Sequence, residues 1–316
     1  MKGFYSTQKG LALFVVLWVL ALLMVTVLSF SFVTRTETHA TLGFKDTAER
    51  KFLAEAGIER AIIEILYRQK NMANPITLEG PEPWKADGTV YSGQLGEGSY
   101  TVSIVGEAGK LDINKAPEVL FKNLLLNAGV KEDEADIIAD SVMDWKDPSG
   151  LTRLHGAGSD YYLSLPVPYN IKGADFDTLE ELLLVKGVTP ALLYGDSTKK
   201  GIIDSLTVNG LPVINLNYAP KEVLMAVPEM AADTADNIIQ FRHDQTIQNV
   251  QEALVGANYQ LMAPFITAGE GNVFTIDSVG HKGNEKTGYP IRATVMIESV
   301  NKYRYLYYKS PAYKEQ

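Results

Sequence analysis

The sequence predicts an α+β fold in which a long N-terminal helix lies on a small antiparallel sheet, with a large all-helical segment inserted into that sheet. Three observations carry this. Residues Leu11–Val33 form an uncharged, mostly apolar run of 23 residues. Helix formers continue past it, without proline, to Gln69. Segments rich in β-branched and aromatic residues stand at about 89–104 and again after about 268, with helical patterning between them.

The first helix has two halves. As a helix, Leu11–Val33 is about 34 Å long, enough to cross a hydrocarbon layer of about 30 Å. A secretory signal uses an apolar stretch of only about 7–15 residues and ends at a small-x-small site. Lys2 and Lys9 precede the run with no acidic partner. Positive charge holds that end on the cytoplasmic side, so the chain from Arg35 onward is expected outside. A plain single-pass anchor meets all of these conditions. In the second half, Ala48, Phe52, Ala56, Ile63 and Tyr67 fall at near-helical spacing, with Glu49, Glu55 and Glu59 elsewhere. That stripe is expected to pack on a globular head.

Strands follow. "TVYSGQL", a "GEG" turn and "SYTVSIV" read as a hairpin. "VFTIDSVG", "YPIRATVMIESV" and "KYRYLYYKS" read as three more strands, the last a tyrosine-rich one with outward side chains available to an interface. Between them, 110–267 is expected to be helical. It contains an echo: "DINKAPEVL" from Asp112 is matched by "INLNYAPKEVL" from Ile214. In both, Asn precedes Ala-Pro, where proline suits a first helical turn. "EDEADIIADSVMDW" and "ADTADNIIQFRHD" follow as second helices. "DTLEELLLVKGVTPALLYG", Asp177–Gly195, reads as a third copy resembling a helix-hairpin-helix.

Composition narrows the function. Hydrophobic residues are 46% and charged residues 21%, a globular balance. Net charge is -9 with pI near 5.1, which argues against nucleic acid as a partner of the hairpin. There is no cysteine, which excludes disulfides, thiolate metal sites and cysteine nucleophiles. The four histidines are scattered, without HExxH spacing. His155 near Asp144 and Asp147 lacks an oriented nucleophile or oxyanion device, and "GEGSY" is a turn rather than a phosphate loop. The expectation is a non-enzyme without catalytic residues. In "DWKDPSGLTRLHGAGSDYY", Asp144, Asp147 and Asp160 offer hard oxygen ligands in a loop, of the kind calcium takes; a solvated acidic loop is the other reading.

"KGLALFVVLWVLALL", "LAEAGIERAI", "KLDINKAPEVL", "MDWKDPSG", "HGAGSDYYL" and "FDTLEELLLVKGVTPALLYG" occur in this order along nearly the whole chain. With the short basic leader ending in Gly10, they resemble the type IV pilin superfamily and, within it, the minor pseudopilin K family of type II secretion. The resemblance implies a leader (1–10), a transmembrane half-helix (11–33), an amphipathic half-helix (34–70), a pilin-like β region (71–109), the inserted helical domain (110–267) and a completing β region (268–316).

The resemblance also implies prepilin peptidase cleavage between Gly10 and Leu11, with methylation of the new Leu11 N-terminus. Most of the superfamily has glutamate at the fifth mature position, where this chain has Val15. A subunit without that carboxylate suits the tip, with none above it to pair with. The implied partners are minor pseudopilins I, J and H and the major pseudopilin, beside the inner membrane and with no nucleic acid; the head lies in the periplasm. The family's loop implies a structural Ca²⁺ at Asp144, Asp147 and Asp160, although Ser149 and Gly158 stand where carboxylates are expected. A minor pilin of a type IV pilus, or a membrane-anchored periplasmic binding protein that never polymerises, remains compatible with the same residues.

Overall fold

Helix α1 runs unbroken from Gln8 to Asn71, a length of about 96 Å. The computed structural model describes residues 8–71, 84–254, 256, 258–283, 287–299 and 302–312. Residues 1–7 of the expected leader and 72–83 of the expected β region lie outside the described residues.

Only the distal part of α1 touches the head. Leu53, Ala54, Gly57, Ile58, Ala61, Ile62 and Ile65 are buried there. This corrects the sequence expectation: Phe52 and Ile63 of the expected stripe are exposed, and Ala48 is too. The contact face is nearly opposite, and on it Leu53, Ile58, Ile62 and Ile65 interleave with the small Ala54, Gly57 and Ala61. Gly57 allows the helix to approach Ser278 and Tyr100, which a Cβ would strike.

That face packs on a five-stranded antiparallel sheet. Strands β1 (Asp87–Leu95) and β2 (Gly98–Gly106) are the expected hairpin. Strands β7 (Val273–Lys282), β8 (Tyr289–Ser299) and β9 (Lys302–Lys309) complete it, in the order β1-β2-β7-β8-β9. Val102, Ile104, Phe274, Ile276, Ile291, Ala293, Val295 and Ile297 alternate into one core with α1. At Gly280 of β7, an added Cβ would strike the backbone of Arg50 and Ala54, so the helix backbone rests directly on the strand. Lys282 at the end of β7 reaches two α1 carboxylates, Asp46 at 2.6 Å and Glu49 at 2.5 Å. The hydrogen bond to Asp46, then that to Glu49, raises the Lys282 pKa, and Asp46 is correspondingly lowered.

The connection from β2 to β7, residues 107–272, has its own core. It is not all-helical as expected. Four two-residue strands form parallel pairs: β3 (Leu111–Asp112) with β4 (Leu206–Thr207), and β5 (Ile214–Asn215) with β6 (Ile266–Thr267). Each pair opens and closes one of two similar units. The backbone N–H of Ile113 donates to Thr207 in the first, and that of Leu216 donates to Thr267 in the second, both at 3.0 Å.

The likeness extends through the side chains. Asp112 Oδ1 accepts from the Asn114 N–H, and Asn215 Oδ1 from the Asn217 N–H, both at 2.8 Å. Asn114 exchanges two hydrogen bonds with the backbone of Phe176; Asn217 does the same with Ile247. After the Ala-Pro turn come helices α2 (Glu118–Asn127) and α3 (Glu132–Lys146) in the first unit. The second unit has the shorter α6 (Lys221–Leu224) and α7 (Ala232–Asp244). Lys122 pairs with Asp136 at 2.5 Å, and Lys221 with Asp236 at 2.6 Å.

The segment read as a third copy has another place. Asp177–Gly195 forms a 3-10 turn (Leu179–Leu184), with Thr178 and Glu181 as a capping box, and then α5 (Pro190–Tyr194). It is the closing part of the first unit. Its start corresponds to the residues after Ile247, where the Asn249 side chain caps α8 (Val250–Ala253). The first unit also carries a long loop, 147–175, containing the short helix α4 (Ser159–Leu163), where the second has only a few residues.

Candidate functional site

The proximal part of α1 is bare. Every large apolar side chain named from Leu11 to Val33 is exposed, and Val15 is 53% exposed. One helix, Leu11–Lys70, contains a window long and apolar enough to cross a membrane among the described residues, with a mean hydropathy of 3.0. It is compatible with a single-pass membrane anchor. Within the apolar run, the Thr26 hydroxyl donates to the Leu23 carbonyl at 2.8 Å, as a polar group in lipid would require. Gly10 and Leu11 lie in the first turns of α1, and Leu11 is exposed.

The tyrosines of β9 turn toward the helix. Tyr303 and Tyr305 donate to Glu59, at 3.3 and 3.1 Å, and Tyr308 to Glu55 at 3.5 Å. Burial, then the Glu59 charge, raises the Tyr305 pKa, which keeps the phenol a donor. Tyr307 is 47% exposed and forms part of the outward face of the strand.

The acidic loop is closed on itself. Asp144, near the end of α3, is 2% exposed. Its Oδ1 accepts from the Arg153 guanidinium at 2.9 Å, and both oxygens lie 3.2 Å from the Arg153 backbone N–H. Asp147 accepts from the Ser149 N–H at 2.8 Å, which lowers its pKa. Asp160 is exposed on α4. Among the described residues, no three His, Asp or Glu side chains gather as a metal-holding group. Of the carboxylates expected to hold Ca²⁺, Asp144 is engaged by Arg153 and Asp160 stands apart on α4. Arg153 was legible as a charge within the loop, yet its nine-residue reach back to Asp144 was not. His155 contacts Asp140 at 3.3 Å rather than Asp144.

A family model for type II secretion system protein K, first domain, matches residues 102–194. Type II secretion system protein K of Pectobacterium carotovorum is 29% identical over 201 residues, covering 58% of this chain and 59% of that protein. The match thus spans less than two thirds of that relative. A putative type II secretion system protein K of Escherichia coli K12 is 25% identical over 244 residues, 70% of this chain and 75% of that one. The fold is that of a chain in the crystal structure of the GspK-GspI-GspJ complex of enterotoxigenic E. coli. The two share 14% identity and a TM-score of 0.59, over 88% of this chain and 98% of that one. The chain is thus similar to type II secretion system protein K in sequence over part of its length, and shares the fold of a chain of the GspK-GspI-GspJ complex. The matched region runs from within β2 to the end of α5, so it covers most of the first inserted unit and the loop closed by Arg153.

Proposed function

We propose that this chain is a non-enzymatic minor pseudopilin that caps the pseudopilus of a type II secretion system and starts its assembly. The observation that carries this reading is one helix with two faces of use. Its distal part is fixed to a head, and its proximal part leaves an apolar surface about 34 Å long without a partner among the described residues. A surface of that size requires lipid, neighbouring helices, or both in turn.

In this reading, the chain begins in the inner membrane with its N-terminus cytoplasmic and its head periplasmic. Prepilin peptidase cuts between Gly10 and Leu11, Leu11 is methylated, and the helix leaves the bilayer to pack with minor pseudopilins I and J, then H and the major pseudopilin. In the related complex, GspK is joined to GspI and GspJ, which supports the first two partners. Val15 has no carboxylate with which to meet the amine of a subunit above. The insertion, with its helical hairpins used as packing surfaces rather than for nucleic acid, widens the head and closes the end of the fibre.

Mass spectrometry of the chain from cells with and without prepilin peptidase tests the processing. The expected N-terminal peptide begins at a methylated Leu11 only when the peptidase is present; an intact N-terminus, or a cut after Ala40, overturns the reading. Gly10→Val is expected to leave the leader attached and abolish secretion of exported enzymes.

A further inference from the structure

We infer that the loop 147–158 is closed by the Arg153 guanidinium acting as an internal cation, so that the head needs no divalent metal. The first unit has a problem that the second lacks: a long loop must fold back over the end of α3. It does so across a buried carboxylate, since the Asp144 side chain is only 1% exposed. An isolated buried carboxylate is strongly disfavoured without a positive partner. The loop supplies one. Arg153 Nη1 lies 2.9 Å from Asp144 and 4.0 Å from Asp147, and Nε lies 3.9 Å from Glu118. One guanidinium thus faces three carboxylates, one of them buried.

The backbone is shaped to that pairing. Gly156 lets the loop lie against Asp144, because a Cβ there would strike Asp144 Oδ2 and Cγ. Its neighbour His155 ties the same stretch to α3 through a backbone N–H donated to Asp140 at 2.9 Å. The adjoining loop shows the same economy. The Lys146 ammonium donates to the carbonyls of Ile113 and Asn114 at 2.9 and 2.8 Å, so a side-chain cation again gathers oxygens.

The test uses the full chain in detergent. Thermal unfolding of the wild type is expected to be unchanged by excess EDTA or by millimolar CaCl₂. A calcium site filled at 100 times its Kd would shift the midpoint by roughly 5 °C. Such a shift, reversed by EDTA and not given by MgCl₂, overturns the inference. Arg153→Met, which keeps the apolar stem, is expected to lower the midpoint and to speed protease cleavage within 147–158 at least tenfold. Arg153→Lys is expected to recover part of the protection. A Met variant whose loop stays as protected as wild type overturns the inference too. If the Met variant does not fold, the wild-type metal comparison and the Lys variant still decide.

Discussion

Asn114 and Asn217 do the same work in two places, but in different surroundings. Asn217 is buried and Asn114 is half-buried. Removing either amide strands a backbone N–H and a C=O, at about 1–3 kcal/mol per unsatisfied group. Asn217→Ala is therefore expected to cost about 3 kcal/mol in urea unfolding followed by circular dichroism, and Asn114→Ala less. Tyr162 supplies a pH dependence. Its buried phenol accepts from the Lys186 N–H, and burial pushes its pKa up to about 12. An unfolded tyrosine releases its proton near 10. The folded state therefore holds a proton that the unfolded state has lost, and stability falls as pH rises from about 10 to about 12. Tyr162→Phe is expected to flatten that part of the curve of unfolding midpoint against pH. The Asn before Ala-Pro was legible from the sequence as a repeated local string, although Pro117 and Pro220, not the Asn side chains, hold the N-cap positions. The partners at Phe176 and Ile247 were not, being long-range backbone contacts with no side-chain signature.

The seam between α1 and β7 shows how a helix reads differently by pattern and by fit. The unbroken helix and all five strands could be anticipated, since periodicity and β-branched content act within a few residues. The seam could not, because Gly57 and Gly280 mark it by lacking bulk. Gly280→Val forces the α1 backbone off the strand and is expected to cost at least about 3 kcal/mol, the upper part of the usual overpacking range. Hydrogen exchange should show protection lost first at 53–65. The Lys282 clasp is partly exposed and adds little in salt. Its contribution is present above the ordinary aspartate pKa and below the ordinary lysine value. It fades as pH falls through the lowered Asp46 pKa or rises through the raised Lys282 pKa.

Helix, sheet and insertion meet at Arg68. Its guanidinium lies over the rings of Tyr218 and Phe274, at 5.7 and 5.6 Å, with Nε 3.6 Å from Glu270. Tyr218, from the insertion, donates to Glu270 at 2.7 Å and packs in the core of the helix and sheet. Arg68→Ala leaves Glu270 largely buried beside a phenol and is expected to cost about 3 kcal/mol, with unfolding of the two cores separating into two transitions. The insertion's echo was legible in the sequence, but its symmetry was not, because the long loop 147–175 in the first unit masks the match between "FDTLEELL" and "IQNVQEAL". The place where the insertion leaves the sheet carries a different consequence. Gly106 at the end of β2 and Phe274 near the start of β7 are direct antiparallel neighbours. A two-residue hairpin would rejoin them, so the insertion is a plug in a socket that another compact domain with adjacent ends can fill if it supplies a ring in place of Tyr218. The insertion can thus be exchanged as a cassette while the helix and the sheet stay the same.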